Sequence, residues 1–140
     1  MNFAKGWRGL LLVLVLMMTA CSGPAKPSED LGEMSRDDFM NALRWKRYQV
    51  AASLMQPEYA QEFLKTFRTL KDIHIVDVRL LDIKRSAEGW RFDTTMEMDY
   101  YLLPSVTVKT FSFDQTWEFF SGEGSKEQAY FIVTPFPDFP

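Results

Sequence analysis

The sequence predicts an α+β domain in which two helices pack on one face of a curved, four-stranded antiparallel sheet. Apolar residues recur at helical spacing between positions 35 and 70, and the period changes to two from Ile73 onward. Short segments with Gly, Pro and Ser divide this second part into four runs, which is typical of a strand meander. Helices next to such a meander bury their apolar sides against one of its faces.

The first predicted helix begins at Ser35, a residue type that caps helices, and continues to about Met55. On a helical wheel one side collects the apolar residues Phe39, Met40, Leu43, Val50, Ala51, Leu54 and Met55. Gln56 ends this helix because the residue before a proline disfavours helical backbone. Pro57 suits the first turn of a second helix. The apolar edge of that helix is formed by Phe63, Phe67 and Leu70.

Four strands are predicted in the second part of the chain. The first, 73–83, changes its apolar face at Leu81, which indicates a bulge. The second, 90–102, shows the cleanest alternation of apolar and polar residues. The third, 106–119, also changes face and is expected to contain a bulge. The last, 129–134, is apolar on both faces, so we expect it to be central or covered.

The first 21 residues resemble a bacterial lipoprotein signal. Lys5 and Arg8 precede the apolar run Leu10–Met18, which is shorter than the roughly 20 residues of a spanning helix and fits a secretory signal. The segment Met18-Thr19-Ala20-Cys21 resembles a lipobox, although Met18 occupies a place where Leu is usual. The resemblance implies that residues 1–20 are removed and that Cys21 is lipidated. The alternative is an ordinary signal peptide with a chance cysteine.

Residues 21–34 are predicted to be a flexible tether, because they are polar, contain Pro and Gly, and have few large apolar side chains. Ser22, rather than Asp, follows the cysteine, which resembles the outer-membrane address of enterobacterial lipoproteins. We therefore expect the domain 35–140 to be lipid-anchored in the cell envelope, at the outer membrane and facing the periplasm.

Composition and charge exclude several classes of function. Hydrophobic residues make up 46% and charged residues 25% of the chain, which is typical of a globular protein. Without residues 1–20, 14 basic and 19 acidic residues remain, a net charge of −5 that argues against nucleic acid and against broad adhesion to anionic lipid. Cys21 is the single cysteine, so neither an internal disulfide nor thiol catalysis is expected. No phosphate-loop or metal-ligand spacing is present, and we expect no cofactor and no metal.

From Ser35 to Pro137 the order of elements resembles the NTF2-like α+β roll. The resemblance rests on a helix, a helix started by Pro57, long kinked strands, a Trp-containing strand and an aromatic–proline tail. A cystatin-like sheet wrapped on one long helix is the alternative. The resemblance implies a conical cavity between sheet and helices. Some members, such as ketosteroid-isomerase-like and SnoaL-like proteins, are enzymes with an acid–base group in that cavity.

Three side chains are candidate cavity or ligand residues: Arg47, Asp93 and Glu97. Arg47 falls within the apolar arc of the first helix, where it would bind a ligand carboxylate or extend over apolar surface. Asp93 and Glu97 lie on the polar face of the second strand, which is either a solvated face or, if concave, a place for a general base. The single histidine, His74, is expected to be an edge residue, and no catalytic residue is assigned.

The tail Pro135–Pro140 is expected to pack over an edge of the fold or to act as a recognition strand. The leading hypothesis for function is a non-catalytic, lipid-anchored module that binds a partner protein or an apolar small ligand, with a homodimer left open. One alternative is an isomerase-like or SnoaL-like enzyme with a cavity carboxylate. Another is a structural component of the envelope that acts by assembly.

Overall fold

The computed structural model describes residues 27–122 and 128–140. The helices in this part of the chain are α1 (Glu29–Arg44), α2 (Tyr48–Ser53) and α3 (Pro57–Thr69). The strands are β1 (Ile73–Arg85), β2 (Arg91–Leu102), β3 (Lys109–Ser121) and β4 (Gln128–Ile132). They form one antiparallel sheet in the order β1-β2-β3-β4, with the helices on one face. This confirms the predicted α+β architecture and the layout expected of an NTF2-like roll, and three helices argue against the cystatin-like alternative.

The predictions for the signal, for Cys21 and for the first part of the tether concern residues outside the described ranges. Within those ranges, no helix is long and apolar enough to cross a membrane.

Helix α1 begins at Glu29, six residues before the predicted start at Ser35, so the end of the predicted tether is helical. The prediction failed because Gly32 is typical of a linker. In the structure Gly32 is buried, and a Cβ there would lie 2.9 Å from a ring carbon of Phe92. The glycine therefore allows α1 to approach the sheet closely. Ser35 does not cap a helix, since its hydroxyl donates to the carbonyl of Leu31 at 3.0 Å.

The predicted helix 35–55 is in fact two helices, separated by a turn at Trp45 and Lys46. Lys46 has a φ of 54°, a left-handed conformation that commonly follows the end of a helix. The backbone N–H of Arg47 donates to the carbonyl of Ala42 at 2.7 Å, and that of Lys46 donates to Leu43 at 3.0 Å. This pair of hydrogen bonds closes α1 in a Schellman motif. Sequence periodicity does not reveal the break, because a lysine stands where glycine is usual.

The bulge predicted in the first strand is confirmed. The register between β1 and β2 shifts twice, between Ile75 and Asp77 and between Leu80 and Asp82. The bulge predicted in the third strand is wrong, because the register between β2 and β3 is continuous. The valines that suggested it, Val106 and Val108, are exposed and lie in the loop before β3.

Strand β4 is an edge strand, so the expectation of a central position is wrong, but its free edge is covered. The backbone N–H of Gln56 donates to the carbonyl of Ile132 at 3.0 Å, and the N–H of Ile132 donates to Leu54 at 2.8 Å. The segment between α2 and α3 thus pairs with β4 in parallel. It satisfies backbone groups that an open edge would leave exposed.

The core lies between the helices and the inner face of the sheet, and aromatic rings dominate it. Phe39 of α1 meets Trp117 of β3 edge to face, with 5.9 Å between ring centroids. Phe92 of β2 stacks on the same indole at 5.6 Å. Phe39 and Trp117 are completely buried. Such pairs contribute about 0.5–1.5 kcal/mol each beyond the burial of apolar area.

The C-terminal tail, Pro135–Pro140, packs between α3 and the sheet, which agrees with the expectation that it packs on the fold. Phe136 lies 5.3 Å from Phe63 of α3, and Phe139 lies 4.7 Å from Tyr100 of β2, measured between ring centroids. The chain's own aromatic side chains therefore occupy this part of the space in which the resemblance places a conical cavity.

The outer face of the sheet carries a network of charges around Arg79 of β1. Its guanidinium forms ion pairs with Asp99, with Glu97 at 3.0 Å and with Asp77 at 3.7 Å. Asp99 also accepts a hydrogen bond from Thr110 at 2.8 Å. The hydrogen bonds from Arg79 and Thr110 lower the pKa of Asp99 below its ordinary value of 3.8. The hydrogen bonds of Arg79 to Asp99 and then to Glu97 raise the pKa of Arg79 above its ordinary value.

The Phe39→Ala substitution should lower the free energy of unfolding by about 3–5 kcal/mol, because it leaves a cavity against Trp117. The matched control is Met34→Ala on the same helix, where the side chain is 62% exposed and the change should stay within about 0.5 kcal/mol. Chemical denaturation followed by circular dichroism measures both. Similar losses in the two variants would contradict this assignment of the core.

Acid should weaken the Arg79 network. Because the pKa of Asp99 is lower in the folded chain than in the unfolded chain, its ionised form stabilises the fold above its ordinary pKa of 3.8. This stabilisation is lost as the pH falls through the lowered value. In Arg79→Gln the pKa of Asp99 should rise towards its ordinary value, so the part of the stability that is lost in acid should become smaller. Carboxyl NMR titration and denaturation at several pH values measure both effects.

The control for this experiment is Arg91→Gln, which removes a cation from the same face without touching the Arg79 network. An Asp99 pKa that is equal in wild type and Arg79→Gln would refute the network's role.

Candidate functional site

The three candidate residues lie on two sides of the sheet. Asp93 and Glu97 occupy outward-facing positions of β2, whereas the alternate positions, such as Phe92 and Met96, are buried against the helices. They therefore do not line the space between sheet and helices. Arg47 belongs to the turn between α1 and α2, on the helical side. It is exposed and does not lie within an apolar arc, because the turn at Lys46 resets the helical phase.

Both carboxylates already have partners on the outer face. Glu97 accepts hydrogen bonds from Arg79 at 3.0 Å and from Ser112 at 3.3 Å. Asp93 accepts from the Thr116 hydroxyl at 2.7 Å. It also lines an open polar depression of about 290 Å³. These contacts account for the two acidic residues as parts of a polar sheet surface.

His74 lies on the outer face at the start of β1, where its ring stacks on Tyr101 with 4.8 Å between centroids. Among the described residues, no group of three or more His, Cys, Asp or Glu side chains is placed to hold a metal ion.

A groove of about 390 Å³ lies between the beginning of α2 and the C-terminal half of α3. We call it the cationic groove, because three basic side chains surround an apolar floor. Its lining consists of Lys46, Arg47, Tyr48, Gln49, Val50, Leu64, Phe67 and Arg68. No carboxylate belongs to this lining.

Arginine pairing distinguishes the cationic groove from the rest of the surface. The described ranges contain seven arginines, and five of them form ion pairs with carboxylates. The two that have no carboxylate within 4.0 Å in the described part of the chain are Arg47 and Arg68, and both line the groove. Guanidinium groups bind carboxylate and phosphate in a bidentate geometry, so this pair is suited to an anion.

Tyr48 belongs to the same lining and is anchored by its ring. Its ring stacks on Phe67 with 4.4 Å between centroids and 19° between planes. Its hydroxyl is buried and has no hydrogen-bond partner among the described residues. Burial raises the pKa of Tyr48 to about 12, so the phenol stays protonated at neutral pH and is able to donate a hydrogen bond.

A larger depression, of about 560 Å³, lies beside Phe120 and Phe131 at the covered edge of β4. Its lining is Ala52, Ser53, Met55, Gln56, Pro57, Ala60, Gln61, Phe120 and Phe131. None of these residues is charged and most are apolar, so the depression suits an apolar ligand but offers no charged group to orient it. The cationic groove combines charge with an apolar floor and is the better candidate site.

Sequence reasoning identified Arg47 but missed Arg68, Lys46 and Tyr48. The sequence gives little indication of a binding role for Arg68, because an arginine near the C-terminal end of a helix is common. The groove depends on the turn at Lys46, which aligns the start of α2 with α3.

The sequence matches no protein-family model and no curated protein. Among solved structures it is similar to a SEC-C motif containing protein from Psychrobacter arcticus, with a TM-score of 0.60, 6% identity, and coverage of 84% of this chain and 66% of that chain. A SEC-C motif containing protein from Rhodopseudomonas palustris has a TM-score of 0.50 and 9% identity, with coverage of 67% and 68%. An LEH-like epoxide hydrolase from M. tuberculosis has a TM-score of 0.49 and 11% identity, with coverage of 76% and 82%. This chain spans about two thirds of the two SEC-C proteins, and their similarity to it shows the fold alone.

Proposed function

We propose that the protein is a non-catalytic binding module, held at a membrane of the cell envelope through lipidated Cys21, that binds an amphiphilic anion in the cationic groove. The observation that carries this proposal is the pairing of the arginines. Carboxylates neutralise five of the seven described arginines, and the remaining two lie together in one groove.

The ligand has an apolar body and a carboxylate or phosphate head. Val50, which is 42% exposed, offers apolar surface beside the largely buried Leu64 and Phe67, and burial of such surface contributes about 25 cal/mol per Å². A single exposed ion pair contributes only about 0–1 kcal/mol. Several cations acting together with an apolar floor are therefore needed for useful affinity. This requirement favours an amphiphile over a small inorganic anion.

The groove's chemistry supports binding rather than catalysis. Its lining contains no carboxylate and no imidazole, and the Tyr48 phenol, with a pKa of about 12, is not a base at neutral pH. The enzyme alternative required a carboxylate in the interior cavity. Asp93 and Glu97 lie on the opposite side of the sheet, which removes the support for that alternative.

Hexyl phosphate, a soluble amphiphilic anion, should bind the cationic groove of the full chain reconstituted in phosphatidylcholine nanodiscs. In methyl NMR spectra the signals of Val50 and Leu64 should shift, whereas Val76 and Leu81, exposed on the far edge strand, should not. The double substitution Arg47→Gln and Arg68→Gln should weaken binding about tenfold, equivalent to about 1.4 kcal/mol. Intact mass of the same preparation reports whether Cys21 carries acyl chains.

The matched control is the double substitution Lys84→Gln and Arg91→Gln, which removes the same charge from the outer face and should leave the affinity unchanged. Hexanol and inorganic phosphate, which each lack one half of the ligand, should bind at least about tenfold more weakly. Equal affinity for hexyl phosphate in the two double variants would contradict the proposal.

Tyr48→Phe should separate stability from binding. Because the hydroxyl is buried without a partner, its removal should raise the free energy of unfolding by about 1 kcal/mol. Because the hydroxyl is buried, the same change should leave hexyl phosphate binding unaltered. Denaturation and the NMR titration measure the two effects. A variant that is less stable than wild type would show that the hydroxyl has a structural partner.

A further inference from the structure

We propose that the cationic groove takes its ligand from a bilayer, with Trp45 inserted among anionic phospholipid headgroups while the groove's cations contact their phosphates. This inference rests on the proposed function and names the source of the amphiphile. The occupant is an anionic phospholipid in the surface of a membrane.

Trp45 is the first observation in its favour. The indole is 69% exposed, more than any other Trp or Phe side chain in the described ranges. It ends α1 and directly precedes Lys46 and Arg47, which line the groove, although the indole is not itself part of the lining. Val50, 42% exposed, adds apolar surface within the lining. Tryptophan beside basic residues suits the headgroup region of a bilayer, where the ring is both apolar and hydrogen-bonding.

The distribution of charge is the second observation. The groove's lining holds three basic side chains and no carboxylate, whereas Glu97 and Asp99 lie on the outer face of the sheet. Helices α1 and α3 also carry acidic side chains, so the positive charge is local to the groove. Exposed charges act over about 8 Å at physiological ionic strength, so a bilayer in contact with the groove interacts first with its three cations. The expectation against broad adhesion to lipid is compatible with this local contact.

The third observation is the reach of the chain. Helix α1 has 16 residues and is about 24 Å long, with the anchor side at Glu29 and the groove at its far end. The seven residues that lead from Cys21 to Ser28 span at most about 25 Å when extended. A domain anchored at Cys21 can therefore lay the far end of α1 on the same membrane. This second attachment is intramolecular, which favours it through a high effective concentration.

Quenching by brominated lipids tests the proposal on the full chain in vesicles. The fluorescence of Trp45 is obtained by subtracting the emission of Trp45→Phe from that of wild type. The two proteins should fold equally well because the residue is exposed. This component should fall at least twofold when the vesicles contain brominated phosphatidylglycerol, and should not fall with brominated phosphatidylcholine. The control difference, wild type minus Trp90→Phe, reports a tryptophan outside the groove, and any quenching of it should not change with the Arg47→Gln and Arg68→Gln pair.

Absence of quenching in phosphatidylglycerol overturns the bilayer contact, and hexyl phosphate binding would then still support the groove. Equal quenching in both lipids overturns recognition of the anionic headgroup. If Trp45 is quenched but hexyl phosphate does not bind, the proposed function fails and the inference that rests on it fails with it. The proposed function and the bilayer contact are both supported if quenching requires phosphatidylglycerol and falls severalfold in the Arg47→Gln and Arg68→Gln double variant.

Discussion

Phe39 of α1 and Trp117 of β3 meet edge to face between the two layers of the fold, and neither ring has contact with solvent. The indole N–H of Trp117 donates to the Thr94 hydroxyl at 3.2 Å, so the large ring is buried without an unsatisfied polar atom. This contact sets the position of α1 over the sheet. Because this cluster and the aromatic tail fill the inner face, charged side chains lie on the outer face of the sheet and on the exposed sides of the helices.

Strands were easier to predict than helices in this chain, for a physical reason. Alternation along β2 depends only on which face is buried, so the sequence records it residue by residue. The boundaries of α1 depend instead on tertiary contacts. Gly32 is helical because the ring of Phe92 lies against it, and Lys46 is left-handed because the backbone of Leu43 and Ala42 closes the helix there. Neither cause is visible in a window of sequence.

The candidate site was predictable only in part. Arg47 was a candidate because it falls within the apolar arc of the first predicted helix. What makes it unusual is the absence of a carboxylate partner in the described structure. Other arginines form ion pairs with carboxylates that are distant in sequence: Arg44 pairs with Asp77 and Arg85 with Glu33. Which cations remain unpaired is a property of the folded topology. Residue types alone therefore identified one member of the groove and could not identify the groove.

The two edges of the sheet are closed by different means, and this affects how copies of the chain meet. Two bulges interrupt the outer edge of β1, at Val76 and Leu81, while Leu54 and Gln56 hydrogen-bond to Ile132 at the end of β4. A regular row of free backbone donors and acceptors is the template on which one sheet extends another. Bulges interrupt this row at one edge and a paired segment shortens it at the other, which disfavours edge-to-edge association of copies of the chain.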